Sequence, residues 1–308
     1  MSELDDLRDT VRAVLAKHDQ PWGPLCEQVG VAGLGVPEEY GGAGAGLAAW
    51  QVVAEETGRV LSPVPFLGSA VLAVTAASAC GAGEVLSQLA EGTVGCLAQG
   101  GLRASGSTVD GTATLVLDGD TAEIVLAAAR DEHGVGLYEV DPGVQRQHTP
   151  ALDETRGLAT IEFAAAPARR LGDFAADTVR DTACAVLAAE QAGSAARALE
   201  ITVEYTKQRT QFGRPIGSFQ ALAHRMADLY VLVETARSMA YAATEPALAA
   251  AAKAYCSEAF ATVAAEMIQL HGGIAITWDH VAHRYLKRAY VGLELFGPPR
   301  EHLRRLLG

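Results

Sequence analysis

One stretch of this chain brings together residue types that could hold a charged, aromatic ligand. It runs from Tyr205 to Gln220, YTKQRTQFGRPIGSFQ. A long apolar helical pattern ends there, breaks at Gly213 and Pro215, and gives way to a second helical pattern near Ser218. Such a break sets the end of one helix beside the start of the next, where backbone groups lack intrahelical partners. Arg209 lies at the break, and its guanidinium fork suits a phosphate or pyrophosphate. Phe212 offers a flat apolar face to an aromatic ring. Taken alone, the same residues describe equally well a plain αα-hairpin with an exposed arginine and a buried phenylalanine.

Composition limits what can position that break. The 308 residues are 49% hydrophobic and 20% charged, a balance that favours helix and a packed core over disorder. The net charge of -13 argues against nucleic acid as a partner. Cys26, Cys80, Cys96, Cys184 and Cys256 are odd in number and scattered, with no C-x-x-C pair. They are expected to be reduced, mostly buried thiols in the cytoplasm. The acidic start, MSELDDLRD, lacks the apolar core of a signal peptide. No apolar run free of glycine breaks or charges reaches the ~20 residues a membrane span needs. No His/Cys/Asp cluster carries metal-ligand spacing.

The periodicity divides the chain into three parts. Residues 1–92 read as a helical domain, with helices over 3–17, 21–29, 47–59, 66–80 and 83–90 and a glycine-rich loop at Gly41, Gly42, Gly44 and Gly46. From Thr93 the texture changes to short β-branched runs separated by turns such as Asp110-Gly111 and Asp118-Gly119, which predicts a small antiparallel sheet or barrel over 93–168. Residues 169–308 return to helix. The pattern predicts 178–208, 219–243, 246–270 and about 279–290, with a closing helix from Arg300 to Leu307, so a four-helix bundle. The fold expected is mainly α with a small β domain.

This order, with three sequence stretches, resembles the acyl-CoA dehydrogenase superfamily. The stretches are GLGVPEEYGGAGAG at 33–46, Arg209 to Ile216 with Phe219-Gln220, and Ile268-Gln269-Leu270-His271-Gly272-Gly273. In the family the last two hold the adenosine pyrophosphate end of FAD, and they do so for the neighbouring subunit. The resemblance therefore implies a cofactor-binding set of Arg209, Gln211, Phe212, Ile216, Gln220, Gln269, Gly272 and Gly273. Arg209 would meet the pyrophosphate and Gln269 would donate its amide. Gly272 and Gly273 would let backbone N–H groups come close. His271 reads as a structural histidine.

The chain departs from the family where chemistry is performed. Oxidation of an acyl-CoA needs a carboxylate base for the α-proton close to the flavin. The usual base position falls on Phe296, before Gly297-Pro298, and the alternative position on the first bundle helix falls on Ala183. Neither side chain accepts a proton. Glu294 is the only acid nearby, and a solvated surface carboxylate is its default reading. The loop that covers the flavin ring in the family is replaced after Cys96 by LAQGGLRASG, and the Trp-x-Thr/Ser segment is missing. The expectation is a short subunit with no catalytic residue of its own. It would resemble the non-catalytic chain of actinobacterial heteromeric (α2β2) enzymes of steroid side-chain degradation. Its partners would be a catalytic subunit, an acyl-CoA held mainly by that subunit, and an electron-transfer flavoprotein. A homomeric enzyme using Glu294, and a scaffold that binds no flavin, are the alternatives.

Overall fold

The computed structural model describes residues 2–307 and divides into two compact units. One runs to Val53 and resumes from Pro63 to Ala183; the other takes Ala54–Ser62 together with the chain from Cys184 onward.

The first unit begins with α1 (Glu3–Lys17), α2 (Trp22–Val29) and the first part of α3 (Leu47–Arg59). Ser2 caps α1: its hydroxyl accepts from the Asp5 N–H at 3.3 Å, while the Asp5 carboxylate accepts from the Ser2 N–H at 3.0 Å. The predicted helix over 66–80 is a π-helix at Phe66–Ala73 followed by α4 (Val74–Ala79). All eight π-helical residues are buried. A run whose one polar side chain is Ser69 has no polar face to set its period, so the pattern could not specify the wider winding. α5 (Gly83–Ala90) ends the helical part.

Seven strands follow: β1 (Gly95–Ala98), β2 (Arg103–Ser105), β3 (Thr108–Leu117), β4 (Ile124–Asp131), β5 (Gly134–Val140), β6 (Gln145–His148) and β7 (Leu158–Asp173). The path β4-β2-β3-β7-β5 returns through the β4–β5 ladder, so the sheet closes on itself, with β1 added to β4 and β6 to β7. The sheet is mixed rather than antiparallel throughout. β1 runs parallel to β4, and β2 meets β4 in a single parallel pair, Arg103 with Arg130. The β2–β3 hairpin fills the crossover that a parallel β1–β4 pair requires. Cys96, Val109, Val125, Tyr138, Ile161 and Phe163 fill the interior.

The second unit holds most of α6 (Ala176–Gln208), then α7 (Gln220–Tyr241), α8 (Pro246–His271), α9 (Ala282–Glu294) and α10 (Pro299–Leu307). Pro246 takes the first position of α8, where its missing N–H costs nothing. By length and composition Pro246–Ile276 could cross a membrane. Here it is the central helix of the bundle, with Phe260, Val263, Met267 and Leu270 packed against Leu199 of α6, Leu229 and Val233 of α7 and Tyr285 of α9. Residues 54–62 complete this unit. A Cβ on Gly58 would sit 2.1 Å from the Glu190 carbonyl oxygen, and one on Gly193 would sit 2.0 Å from that of Glu55. The two backbones therefore touch through reciprocal glycines. Glu55, 1% exposed, accepts from Arg237 at 3.0 Å and from the Tyr241 hydroxyl at 2.5 Å. All five cysteines are free, and Cys96, Cys184 and Cys256 are buried.

Candidate functional site

The break after α6 is a tiny hairpin. β8 (Thr210–Gln211) pairs with β9 (Arg214–Pro215), and Phe212 and Gly213 form the turn between them at φ of 53° and 78°. Positive φ at both central residues is the type I′ geometry that matches strand twist. Gly213 adopts it freely, whereas Phe212 does so at a steric cost. Far from being buried, as in the plain αα-hairpin, the Phe212 side chain is 91% exposed. The Ile216 N–H donates to the Arg209 carbonyl at 2.8 Å and ties the far side of the hairpin to its base.

Two arginines flank the turn, and they differ. The Arg214 guanidinium lies 4.0 Å over the Phe219 ring, a cation–π contact. Arg209 makes no side-chain hydrogen bond or ion pair among the described residues and stays open to an external anion. Gln211, Gln220 and Gln269 are likewise exposed, with no partner for their amides. Ile216 is half-buried in the single 3-10 turn Ile216–Ser218.

The second stretch reaches the first through Tyr205. Its hydroxyl donates to the His271 carbonyl oxygen at 3.2 Å, and the two rings stack with centroids 4.3 Å apart. His280 adds a third ring, 4.4 Å from that of His271. Sequence reasoning passed over Tyr205 and His280, since nothing in their spacing marks a stack built across two loops. The stack brings the end of α6, four residues ahead of Arg209, to the end of α8, where Gly272 and Gly273 follow His271. Gly272 has φ 67° and ψ -144°, a conformation essentially reserved for glycine. Beside both glycines, the place of a Cβ is empty to 4 Å. Gly58 and Gly193 lack side chains because another backbone of the same chain is there. At Gly273 no internal neighbour gives a reason, and the space is open to a ligand.

These residues fit one end of a dinucleotide. An unengaged guanidinium, free amides, a flat exposed ring and bare backbone are what a pyrophosphate and an aromatic base require.

The turn on which the resemblance sets the base position holds two residues at positive φ. Phe296 has φ 61° and Gly297 φ 98°. A non-glycine residue held there costs about 1–3 kcal/mol and must be fixed by its surroundings. Side chains hold the carbonyl of Phe296 and those of the last turn of α9. His302 Nε2 donates to the Phe296 oxygen at 3.0 Å. Lys253 Nζ donates to the carbonyls of Gly292 and Leu293, each at 3.1 Å, and to Ser257 Oγ at 3.0 Å. Gln191 Nε2 donates to the Gly292 carbonyl at 3.2 Å. Burial pushes the Lys253 amine down to about 8 and lowers the His302 imidazole below its ordinary value. No carboxylate is among these hydrogen bonds, although Glu301 Oε2 lies 3.0 Å from where a Cβ on Gly297 would sit. Ala183 is fully buried, and Glu294 is exposed at the end of α9. Among the described residues no three His, Cys, Asp or Glu side chains gather as metal ligands would.

Residues 1–91 match the model of the acyl-CoA dehydrogenase N-terminal domain, and residues 181–306 match that of the C-terminal domain. The acyl-CoA dehydrogenase IpdE2 of Mycolicibacterium smegmatis is 44% identical over 324 residues, covering 99% of this chain and 97% of that protein. Two solved structures superpose over 99% of this chain and 96% of theirs, each with a TM-score of 0.87. They are the ChsE4-ChsE5 complex from Mycobacterium tuberculosis, at 27% identity, and a variant of the Tcur3481-Tcur3483 steroid ACAD, at 29%. With the same order of helical part, small sheet and bundle, this chain belongs to the acyl-CoA dehydrogenase family, whose cofactor is FAD.

Proposed function

We propose that the chain is the non-catalytic subunit of a heteromeric, FAD-dependent acyl-CoA dehydrogenase, arranged as α2β2 in the cytoplasm. The observation that carries this reading is a contrast within the second unit. Arg209, Gln211 and Gln269 stand unengaged and Phe212 keeps an open face beside its edge contact with Phe219, while the turn that would hold the base presents Phe296. The likeness to the ChsE4-ChsE5 complex supports a partner chain, and the likeness to a steroid ACAD supports a bulky, steroid-derived CoA thioester as substrate.

When bound, FAD supplies the acceptor for the β-hydride of the acyl group. This chain's part is to bind. Arg209 offsets pyrophosphate charge, Gln211 and Gln269 donate amide N–H groups, and Phe212 lies against an aromatic ring. Ile216 and Gln220 border the same hairpin, and Gly272 and Gly273 admit the ligand to the backbone. The proton is removed by a carboxylate of the other chain. That chain also supplies the loop over the flavin ring and most of the acyl-CoA pocket. Electrons leave through an electron-transfer flavoprotein.

Co-expression with the adjacent gene tests this. The complex should hold one FAD per heterodimer, Arg209→Ala should deplete it, and Glu294→Gln should leave turnover unchanged. If the chain alone is a yellow homomer that Glu294→Gln inactivates, Glu294 is a displaced base and the reading is wrong. A complex without flavin would leave only a scaffold.

A further inference from the structure

An open furrow of about 490 Å³ runs between α6 and α7 within the second unit. Leu199 and Val203 of α6 and Met226 and Val233 of α7 give it an apolar lining. The charged side chains along it are each paired within the chain. Arg197 meets Glu200 at 3.0 Å, Lys207 meets Glu204 at 2.6 Å, and Arg237 meets Glu234 at 3.3 Å and Glu55 at 3.0 Å. The furrow therefore offers an occupant apolar surface rather than an uncompensated charge.

Beside the furrow α7 raises a ridge. Ala223, Ala227, Tyr230 and Val231 stand at positions i, i+4, i+7 and i+8, which sets them on one side of the helix. All four are exposed, Tyr230 to 59% and Val231 to 62%. Small alanines let a second helix come close, and a tyrosine at the lip of an apolar groove is the kind of side chain that anchors an interface.

We propose that this face joins two copies of this chain, the α7 ridge of each lying in the α6–α7 furrow of the other. Two observations select a second copy as the occupant. Ridge and furrow lie side by side on one surface, which is the condition for an isologous pair: a two-fold rotation sets each ridge over the other's furrow and uses both features twice. The chain also carries a net charge of -13, so two copies repel except where charge is balanced, and here the charges are paired and the projecting side chains apolar. The inference rests on the proposed function and deepens it. The dinucleotide clamp joins unlike chains, whereas an α2β2 complex also needs a joint between its two halves, and at a two-fold axis like meets like.

The experiment sizes the co-expressed complex by analytical ultracentrifugation and reads its flavin from the visible absorbance. Wild type should sediment as α2β2. Val231→Glu sets two carboxylates into the joint and should halve the mass to one heterodimer, with one FAD retained. Val231→Cys, treated with a short bismaleimide, should give a covalent dimer of this chain; wild type, whose cysteines are buried or half-buried, is the control. A Val231→Glu complex that stays α2β2, a wild-type complex that is only a heterodimer, or a cross-link to the catalytic chain overturns the inference. If Val231→Glu does not fold, the cross-link decides. A wild-type complex without flavin removes the proposed function instead, and its mass and cross-link still decide the inference.

Discussion

The Tyr205 hydroxyl meets the His271 carbonyl at 3.2 Å while the two rings stack at 4.3 Å. One residue closes α6 and the other closes α8, so this pair holds together the two loops that carry the clamp. Tyr205→Phe keeps the stack and loses the hydrogen bond, and should lower stability by about 1 kcal/mol with FAD retained. Tyr205→Ala removes both contacts and should also lower the flavin content of the purified complex. Thermal melts and the visible flavin band measure the two effects separately.

Glycines separate ligand space from packing space. Gly193→Ala drives a methyl into the Glu55 carbonyl, 2.0 Å away. It should destabilise the chain by about 3 kcal/mol or more, because two backbones would have to part. Gly273→Ala meets nothing within 4 Å. Its melting temperature should stay close to wild type while its affinity for FAD falls. Equal melting losses in the two variants would contradict this.

Lys253 makes a pH prediction with a definite sign. Its folded value is about 8 against an unfolded 10.5, so between those values the unfolded chain binds more protons. Stability must therefore rise with pH across that window. Denaturation of wild type and Lys253→Met, compared from pH 8 to pH 10, should show wild type gaining about 2 kcal/mol relative to the variant. Below pH 8 the difference should level off.

The buried pair Arg288–Glu190, 2.9 Å apart, leaves one charge stranded if cut on one side. Arg288→Met should cost about 3–5 kcal/mol, and the double variant Arg288→Met with Glu190→Leu should cost less than Arg288→Met alone. Urea denaturation of the single and double variants gives the coupling directly.

Much of the architecture is written in local patterns. Helices such as 83–90 and 246–270 follow from spacing and from Pro246, and the break at Gly213 marks where α6 and α7 part, though not the β8–β9 hairpin between them. What local pattern cannot carry is long-range. Glu55 and Glu56 are carboxylates in the predicted helix 47–59, yet they are 1% exposed, and the partners of Glu55 lie more than 180 residues away. The parallel β1–β4 ladder and the Tyr205–His271–His280 stack depend in the same way on segments far apart in the chain. Arg209 and Phe212 stand out at the helix break itself, whereas Gln211, Gln269, Gly272 and Gly273 come only from the resemblance; all six lie exposed.

Residues 54–62 belong with the bundle although the sheet lies between them in sequence. A fragment cut to the matched region 181–306 would bare the Gly193 notch, leave Tyr241 without its carboxylate and leave Arg237 with Glu234 alone. What sequence comparison delimits as a module is thus not a self-sufficient folding piece. Gene fusions, swaps or proteolytic cuts that respect its borders would still sever it from its own cornerstone.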